Sequence, residues 1–141
     1  MARVLVILLV LATALPAFSD PPKGPVKSLK VIVRTVDDWG AGTTDTVTLS
    51  MGDAYEWTLA GKGETFKPGN ADTFVLGTQG LNVEDIKAIK LRKSRGADDD
   101  WGLKGLEIWI NGRPFYRNNV IELTLHGGHL EWVAPDFPKK P

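Results

Sequence analysis

Residues 31–49 read VIVRTVDDWGAGTTDTVTL, in which two alternating segments flank a loop of small and acidic residues. Before the loop, apolar residues stand at positions 29, 31 and 33, and after it they stand at positions 47, 49 and 51. Successive side chains of a β-strand point to opposite faces, so this spacing predicts two strands, each with one buried and one wetted face.

The same pattern recurs along the rest of the chain, with little helical signal. Seven further strands are predicted, at residues 55–59, 72–76, 86–92, 106–110, 114–117, 121–125 and 130–133. Asn111-Gly112 and Gly127-Gly128 suit the positive φ of tight hairpin turns, and residues 83–89 are predicted to form a loop or short helical turn. About eight short strands at near-regular spacing predict an all-β, antiparallel β-sandwich, with a closed barrel as the alternative.

Composition limits the classes of partner. A chain of 141 residues, 43% of them hydrophobic, is long enough to form one hydrophobic core and is therefore expected to fold as one domain. The 17 basic residues equal the 17 acidic ones, so no overall field would attract nucleic acid. The chain has no cysteine, so the hydrophobic core must hold the domain together without disulfides.

The N-terminal segment has the features of a signal peptide. Arg3 precedes an apolar run of about eleven residues, shorter than the roughly 20 that span a bilayer. We predict cleavage after Ser19, with Ala17 as the alternative, and an exported, soluble product. The predicted organisation is then signal peptide 1–19, flexible linker 20–28, sandwich domain 29–135 and C-terminal tail 136–141, with no transmembrane segment.

Three segments, in order and spacing, resemble the signatures of the PLAT domain family, also called the lipoxygenase-homology or LH2 domain. They are the GAGT loop at 40–43, Phe-x-x-Gly-x-x-Asp-Thr-Phe at 66–74, and Asp-Trp-x-Leu at 100–103. The resemblance covers residues 29–135. It implies a sandwich of two four-stranded sheets that docks on lipid surfaces or proteins in lipoxygenases, pancreatic-type lipases and bacterial phospholipases C, and in small stand-alone exported proteins.

The tetrapeptide DDWG occurs at 37–40 and again at 99–102, but the flanking residues differ, so it is not an internal repeat. In the PLAT fold the two loops lie at one end of the sandwich. Acidic, glycine-rich loops that meet there suit Ca²⁺, which takes six to eight oxygen ligands including backbone carbonyls. The candidate metal ligands are Asp37, Gly42, Thr43, Asp45 and Asp100. Calcium-binding members of the family tend to carry acidic residues where this chain has Gly40, Thr44 and Ala60, which weakens the match.

The tryptophans are predicted to differ in role. Trp101 matches a structural position of the family and is expected in the core, while Trp57, Trp109 and Trp132 lie in predicted strands. Trp39 precedes small residues in a loop, where an indole can sit at the lipid headgroup level. Trp39 and Ala41 are therefore the predicted membrane or partner contacts.

Other clusters carry weaker predictions. His126 and His129 should face each other across a hairpin but need a third ligand to hold Zn²⁺ or Cu²⁺. Within residues 87–95, alternation predicts that Lys90 and Arg92 lie on one sheet face and that Leu91 and Lys93 lie on the other. The basic residues of this run are interpreted as a solvated sheet face, or else as a contact for anionic lipid. No cysteine nucleophile or Gly-x-Ser-x-Gly motif is present.

We therefore expect a non-catalytic module that docks on a lipid surface or a protein partner, with calcium as the implied ion. The alternatives are a protein-interaction module that never meets lipid, and a small hydrolase.

Overall fold

The computed structural model describes residues 23–60, 65–95 and 100–138. The predicted signal peptide lies outside these ranges. Nine strands are described: β1 Leu29–Thr35, β2 Val47–Ser50, β3 Glu56–Leu59, β4 Ala71–Leu76, β5 Lys90–Lys93, β6 Trp101–Ile110, β7 Arg113–Asn118, β8 Leu123–Leu125 and β9 Glu131–Val133. A 3₁₀ turn at Val83–Asp85 precedes β5, as the sequence predicted. In the described ranges no helix is long and apolar enough to cross a membrane.

The strands form two antiparallel sheets, which confirms the predicted all-β sandwich. One sheet has the order β3-β2-β5-β9, and the other has the order β4-β1-β6-β7 with β8 also paired to β6. The second sheet thus has five strands rather than the predicted four. The reason is that β7 pairs with residues 106–110 of β6 and β8 pairs with residues 101–103, so two short strands share one lateral position.

Strand β6 starts at Trp101, five residues before the predicted start at Leu106. Gly102 and Gly105 interrupt the alternation of apolar and polar residues from which strands were predicted. A Cβ on Gly102 would lie 3.0 Å from the Val36 side chain, and one on Gly105 would lie 2.6 Å from Asn119 Oδ1. Glycine inside a strand marks a close approach of neighbouring chain, and here it lets the residues on both sides of β6 pack against it.

The core lies between the inner faces of the two sheets. Val31 and Val33 of β1, and Leu106, Ile108 and Ile110 of β6, are buried there. Trp101 closes the end of the core where β1 stops: it is fully buried, its indole N–H donates to Thr35 Oγ1 at 3.1 Å, and its ring meets Phe66 edge-on at 5.3 Å between centroids. The predicted structural role of Trp101 is confirmed.

The outward face of β6 carries a buried carboxylate. Glu107 accepts hydrogen bonds from the Asn119 amide at 3.1 Å and from Arg117 Nε at 2.9 Å. The Asn119 hydrogen bond, helped by the charges of Arg117 and Arg34, lowers the pKa of Glu107 despite its burial. Arg34 on β1, Arg117 on β7 and Asn119 just after β7 therefore stabilise a charge on the central strand β6.

The packed unit extends beyond residues 29–135. Pro25 pairs with Asn82, and Val26 is buried in the core. At the other end the Phe137 ring packs 5.6 Å from Phe115, between centroids. The described parts of the predicted linker and tail thus lie against the sandwich.

Replacing Trp101 by alanine removes both the largest fully buried side chain and the Thr35 hydrogen bond. We expect the free energy of unfolding to fall by about 3–5 kcal/mol, the usual cost of deleting a buried Trp. Trp39→Ala is the control and should change it by less than about 0.5 kcal/mol, because that side chain is exposed. Urea denaturation measures both, and equal losses would contradict the assignment.

Candidate functional site

Residues 36–46, which we call the Trp39 loop, fold over the start of β6. Val36 N–H donates to the Gly102 carbonyl, and Gly102 N–H donates in turn to the Ala41 carbonyl, both at 2.8 Å. Because β1 and β6 are antiparallel, the end of β1 lies beside the beginning of β6. The first DDWG and the described part of the second, residues 100–102, therefore meet at one end of the sandwich, as predicted.

An open cleft of about 480 Å³ lies at this end. It is lined by Val36, Asp38, Trp39, Gly40, Ala41, Asp100, Gly102, Glu122, Leu123 and Thr124. Trp39 is 102% exposed, so its indole projects fully into solvent. Ala41 is half-buried, and its N–H donates to the Asp38 carbonyl at 3.0 Å, which closes the tip of the loop.

The charged side chains among these lining residues are all carboxylates, those of Asp38, Asp100 and Glu122. Glu122 is not one of the site residues predicted from the sequence. Its backbone adopts a φ of +47°, which is uncommon outside glycine, immediately before β8. No local sequence pattern signals this placement, because it depends on β8 pairing with the first residues of β6.

The second half of the Trp39 loop turns inward. Thr43 N–H donates to the Phe66 carbonyl at 3.1 Å, and the Thr43 hydroxyl accepts from Asp45 N–H at 3.0 Å. Gly42 leaves no room for a side chain, because a Cβ there would lie 2.7 Å from the Phe66 carbonyl oxygen. This half of the loop is therefore clamped against the turn at 66–69.

Asp45 ends in the interior as one half of an ion pair. Its carboxylate meets the Lys93 ammonium, and each side chain is only 2% exposed. Lys93 Nζ also lies 3.3 Å from the Ser94 carbonyl oxygen. Alternation correctly predicted that Lys93 shares the inner face with Leu91, but a solvated basic face was the wrong interpretation for Lys93. The partner lies 48 residues away, where no local pattern reveals it.

The five predicted calcium ligands do not converge. Asp45 is buried in an ion pair with Lys93, whereas Asp100 is exposed at the cleft. The Asp37 carboxylate lies against the neighbouring turn: a Cβ added to Gly69 would lie 2.9 Å from Asp37 Oδ1. Within residues 23–60, 65–95 and 100–138, no three His, Cys, Asp or Glu side chains form a group that could hold a metal. In the described part of the chain, these predicted ligands therefore do not fit one shared Ca²⁺.

The predicted histidine hairpin is present. His126 and His129 exchange backbone hydrogen bonds of 2.9 and 2.7 Å across Gly127-Gly128, and both side chains are exposed. Neither joins a larger group of potential metal ligands in the part of the chain that the structure describes.

The tryptophans predicted to lie in strands do so. Trp57 and Trp132 are buried, and Trp109 lies on a sheet face beneath the Lys30 ammonium, which is 4.5 Å from the ring centroid.

Comparison with known proteins gives a consistent result. A family model described as PLAT/LH2 domain matches residues 29–119. A phospholipase C of Clostridium novyi is 28% identical over 116 residues, a match that covers 77% of this chain and 29% of that enzyme. A second phospholipase C, of Clostridium haemolyticum, is 29% identical over 105 residues, 69% of this chain and 26% of that enzyme.

Solved structures of other proteins share the fold. Alpha-toxin of Clostridium perfringens superposes with a TM-score of 0.67 at 24% identity, over 82% of this chain and 33% of the toxin. Coral 8R-lipoxygenase, described as calcium-activated through a C2-like domain, superposes with a TM-score of 0.62 at 23% identity, over 81% of this chain and 18% of the enzyme. The chain thus spans about a third or less of the length of each of these four proteins.

Substituting Gly42 by alanine should loosen the clamp on the Trp39 loop. The new methyl group would press on the Phe66 carbonyl and the Pro68 ring, so we expect the free energy of unfolding to fall by about 1–3 kcal/mol, as for other overpacked sites. Gly77→Ala is a matched control with no heavy atom within 4 Å of the added Cβ. Thermal unfolding compares the two variants, and no difference between them would contradict the clamp.

Proposed function

This chain belongs to the PLAT/LH2 domain family, and on that premise we propose that it is a non-catalytic binding module that docks on a lipid surface through Trp39 and Ala41. One observation carries the proposal: an indole that is 102% exposed stands on a loop whose two ends are fixed by hydrogen bonds to the body of the sandwich.

The relatives support lipid as the partner. Phospholipases C and lipoxygenases are named for lipid substrates, and the shared region is a minor part of each enzyme: 29% of the Clostridium novyi phospholipase C and 18% of the coral lipoxygenase. A region shared by enzymes of different chemistry suits a common docking role better than a common reaction. This favours binding without catalysis.

Trp39 has the chemistry of an interfacial anchor. Its ring is apolar and its N–H can stay in the headgroup layer, which is why Trp is enriched at membrane interfaces. Ala41 and Gly40 beside it are small, so the tip can approach the surface closely. Because the loop is already ordered, docking loses little backbone entropy. A single buried indole still contributes only about 2–3 kcal/mol, so one copy binds weakly.

The charges around the indole favour a zwitterionic surface. Asp38, Asp100 and Glu122 would repel anionic phosphates but tolerate the outward ammonium of choline headgroups. No Lys or Arg is among the described residues that line the cleft. Lys90 and Arg92 lie on the outer face of β5, where Arg92 is paired in register with Glu131. We therefore propose phosphatidylcholine rather than phosphatidylglycerol as the preferred headgroup.

Calcium assistance does not enter through the predicted ligands, because those residues do not fit a shared ion. The docking mechanism proposed here uses the indole and the fixed loop alone.

Export completes the proposal. We propose that residues 1–19 are removed, because a basic residue, a short apolar run and small residues before the cleavage point are what signal peptidases recognise. Expression in a secreting bacterial host should give an exported protein whose N-terminus is Asp20 by mass spectrometry. Retention of Met1 in the exported protein would contradict this.

Docking is tested by co-sedimentation with phosphatidylcholine vesicles. Trp39→Ala should weaken binding by about tenfold or more, because it removes most of the apolar surface at the tip. Val75→Ala is the matched control: Val75 is 83% exposed, but it pairs with Lys30 near the far end of β1 and should leave binding unchanged.

Two outcomes would contradict lipid docking. Equal losses in the Trp39 and Val75 variants would show that exposed apolar area, rather than this loop, drives sedimentation. No sedimentation with phosphatidylcholine or phosphatidylglycerol vesicles would favour a protein partner for the same indole.

A further inference from the structure

We infer that the Trp39 loop is held by an internal cation, the Lys93 ammonium, and that it therefore keeps its shape and its docking activity without Ca²⁺. The inference deepens the proposed function by fixing its regulation. Its structural half, the calcium-independent loop, does not rest on lipid binding.

The first support is the burial of the pair. Asp45 and Lys93 side chains are each 2% exposed, and their charged groups are in direct contact. A carboxylate in such a site needs a counter-charge, since an unpaired buried charge is very costly. Here a side chain of the same protein supplies it. A calcium ion would have to displace the ammonium or share the same carboxylate oxygens.

The second support is the place of the pair in the chain. Lys93 is the last residue of β5 and pairs in register with Val47, the first residue of β2. Asp45 stands two residues before Val47. Next to the ion pair, Ser94 N–H donates to the Thr46 carbonyl at 2.8 Å, and Thr46 N–H donates to the Ser94 hydroxyl at 3.1 Å. The pair therefore ties the end of the Trp39 loop to the four-stranded sheet.

The third support is that the start of the loop is tied to the other sheet. The Val36, Gly102 and Ala41 hydrogen bonds join it to β6, at 2.8 Å each. One end of the loop is thus fixed by backbone pairing and the other by an ion pair. A metal ion that bridges two loops performs the same task, but here protein atoms already perform it.

The first experiment needs no lipid. The melting temperature of the purified protein is measured in about 5 mM CaCl₂ and in EDTA, and we expect it to agree within about 1 °C. A site with a Kd of about 0.1 mM, the range of extracellular calcium modules, would raise it by several degrees through ligand linkage. A rise of several degrees overturns the inference.

The second experiment tests the internal cation. Lys93→Met should lower the melting temperature by about 10 °C or more, because it leaves the Asp45 carboxylate buried and unpaired. The double variant Asp45→Asn, Lys93→Met removes both charges and should recover most of that loss. Lys90→Met is the matched control on the outer face of the same strand and should shift the melting temperature by less than about 2 °C.

These variants decide the inference even when one folds poorly. Failure of Lys93→Met to fold agrees with the expected loss, and the double variant then gives the answer. A double variant no more stable than Lys93→Met would show that Lys93 acts through packing rather than as the counter-charge, and it would overturn the inference.

The third experiment joins the inference to docking. Sedimentation with phosphatidylcholine vesicles should agree within about twofold in CaCl₂ and in EDTA. Binding that requires Trp39 and is also lost in EDTA would leave the docking proposal standing and overturn calcium independence. Absence of binding in both buffers would count against docking, while the melting temperatures would still decide the inference.

Discussion

The antiparallel pairing of β1 with β6 is the constraint on which the rest of the molecule depends. It runs from Leu29 opposite Ile110 to Thr35 opposite Leu103, with a shift in register at the last step. The pairing buries Trp101 under the end of β1 and continues into the hydrogen bond between Val36 and Gly102. The Trp39 side of the cleft follows from it, because the chain leaves β1 beside the start of β6. The loop that carries Trp39 is thus a continuation of the core ladder.

The same end of the sandwich uses carboxylates in two physically different ways. Asp45 is out of water and contacts an ammonium, so its charge serves to fix the loop. Asp38 and Asp100 are exposed in the cleft, where their charges act on whatever approaches the indole. Burial separates the two roles. In a site of low dielectric constant the attraction between the two charges of an ion pair is strong, whereas a carboxylate exposed to water remains available to a binding partner.

Local spacing predicted much of the fold. Alternation located all nine strands, although not their ends, and it put Leu91 and Lys93 on the same inner face. The Asn111-Gly112 turn adopts φ values of 52° and 76°, as the composition of a tight hairpin requires. The prediction fell short for β6, where Gly102 and Gly105 interrupt the apolar period, and for the strand count of the β6 sheet, where β7 and β8 divide one edge.

For the candidate site, the sequence by itself determined that Trp39 would lie in a loop of small residues and that Trp101 would lie in the core. The resemblance to the PLAT family added that the two loops would meet. Only the tertiary structure decided that Asp45 turns inward to Lys93 and that Glu122 joins Asp38 and Asp100 at the cleft. The physical reason is that the two features depend on residues at different distances along the chain. Residue spacing encodes which face a side chain takes, since that depends on the local backbone, whereas its partner depends on pairing between strands that lie tens of residues apart.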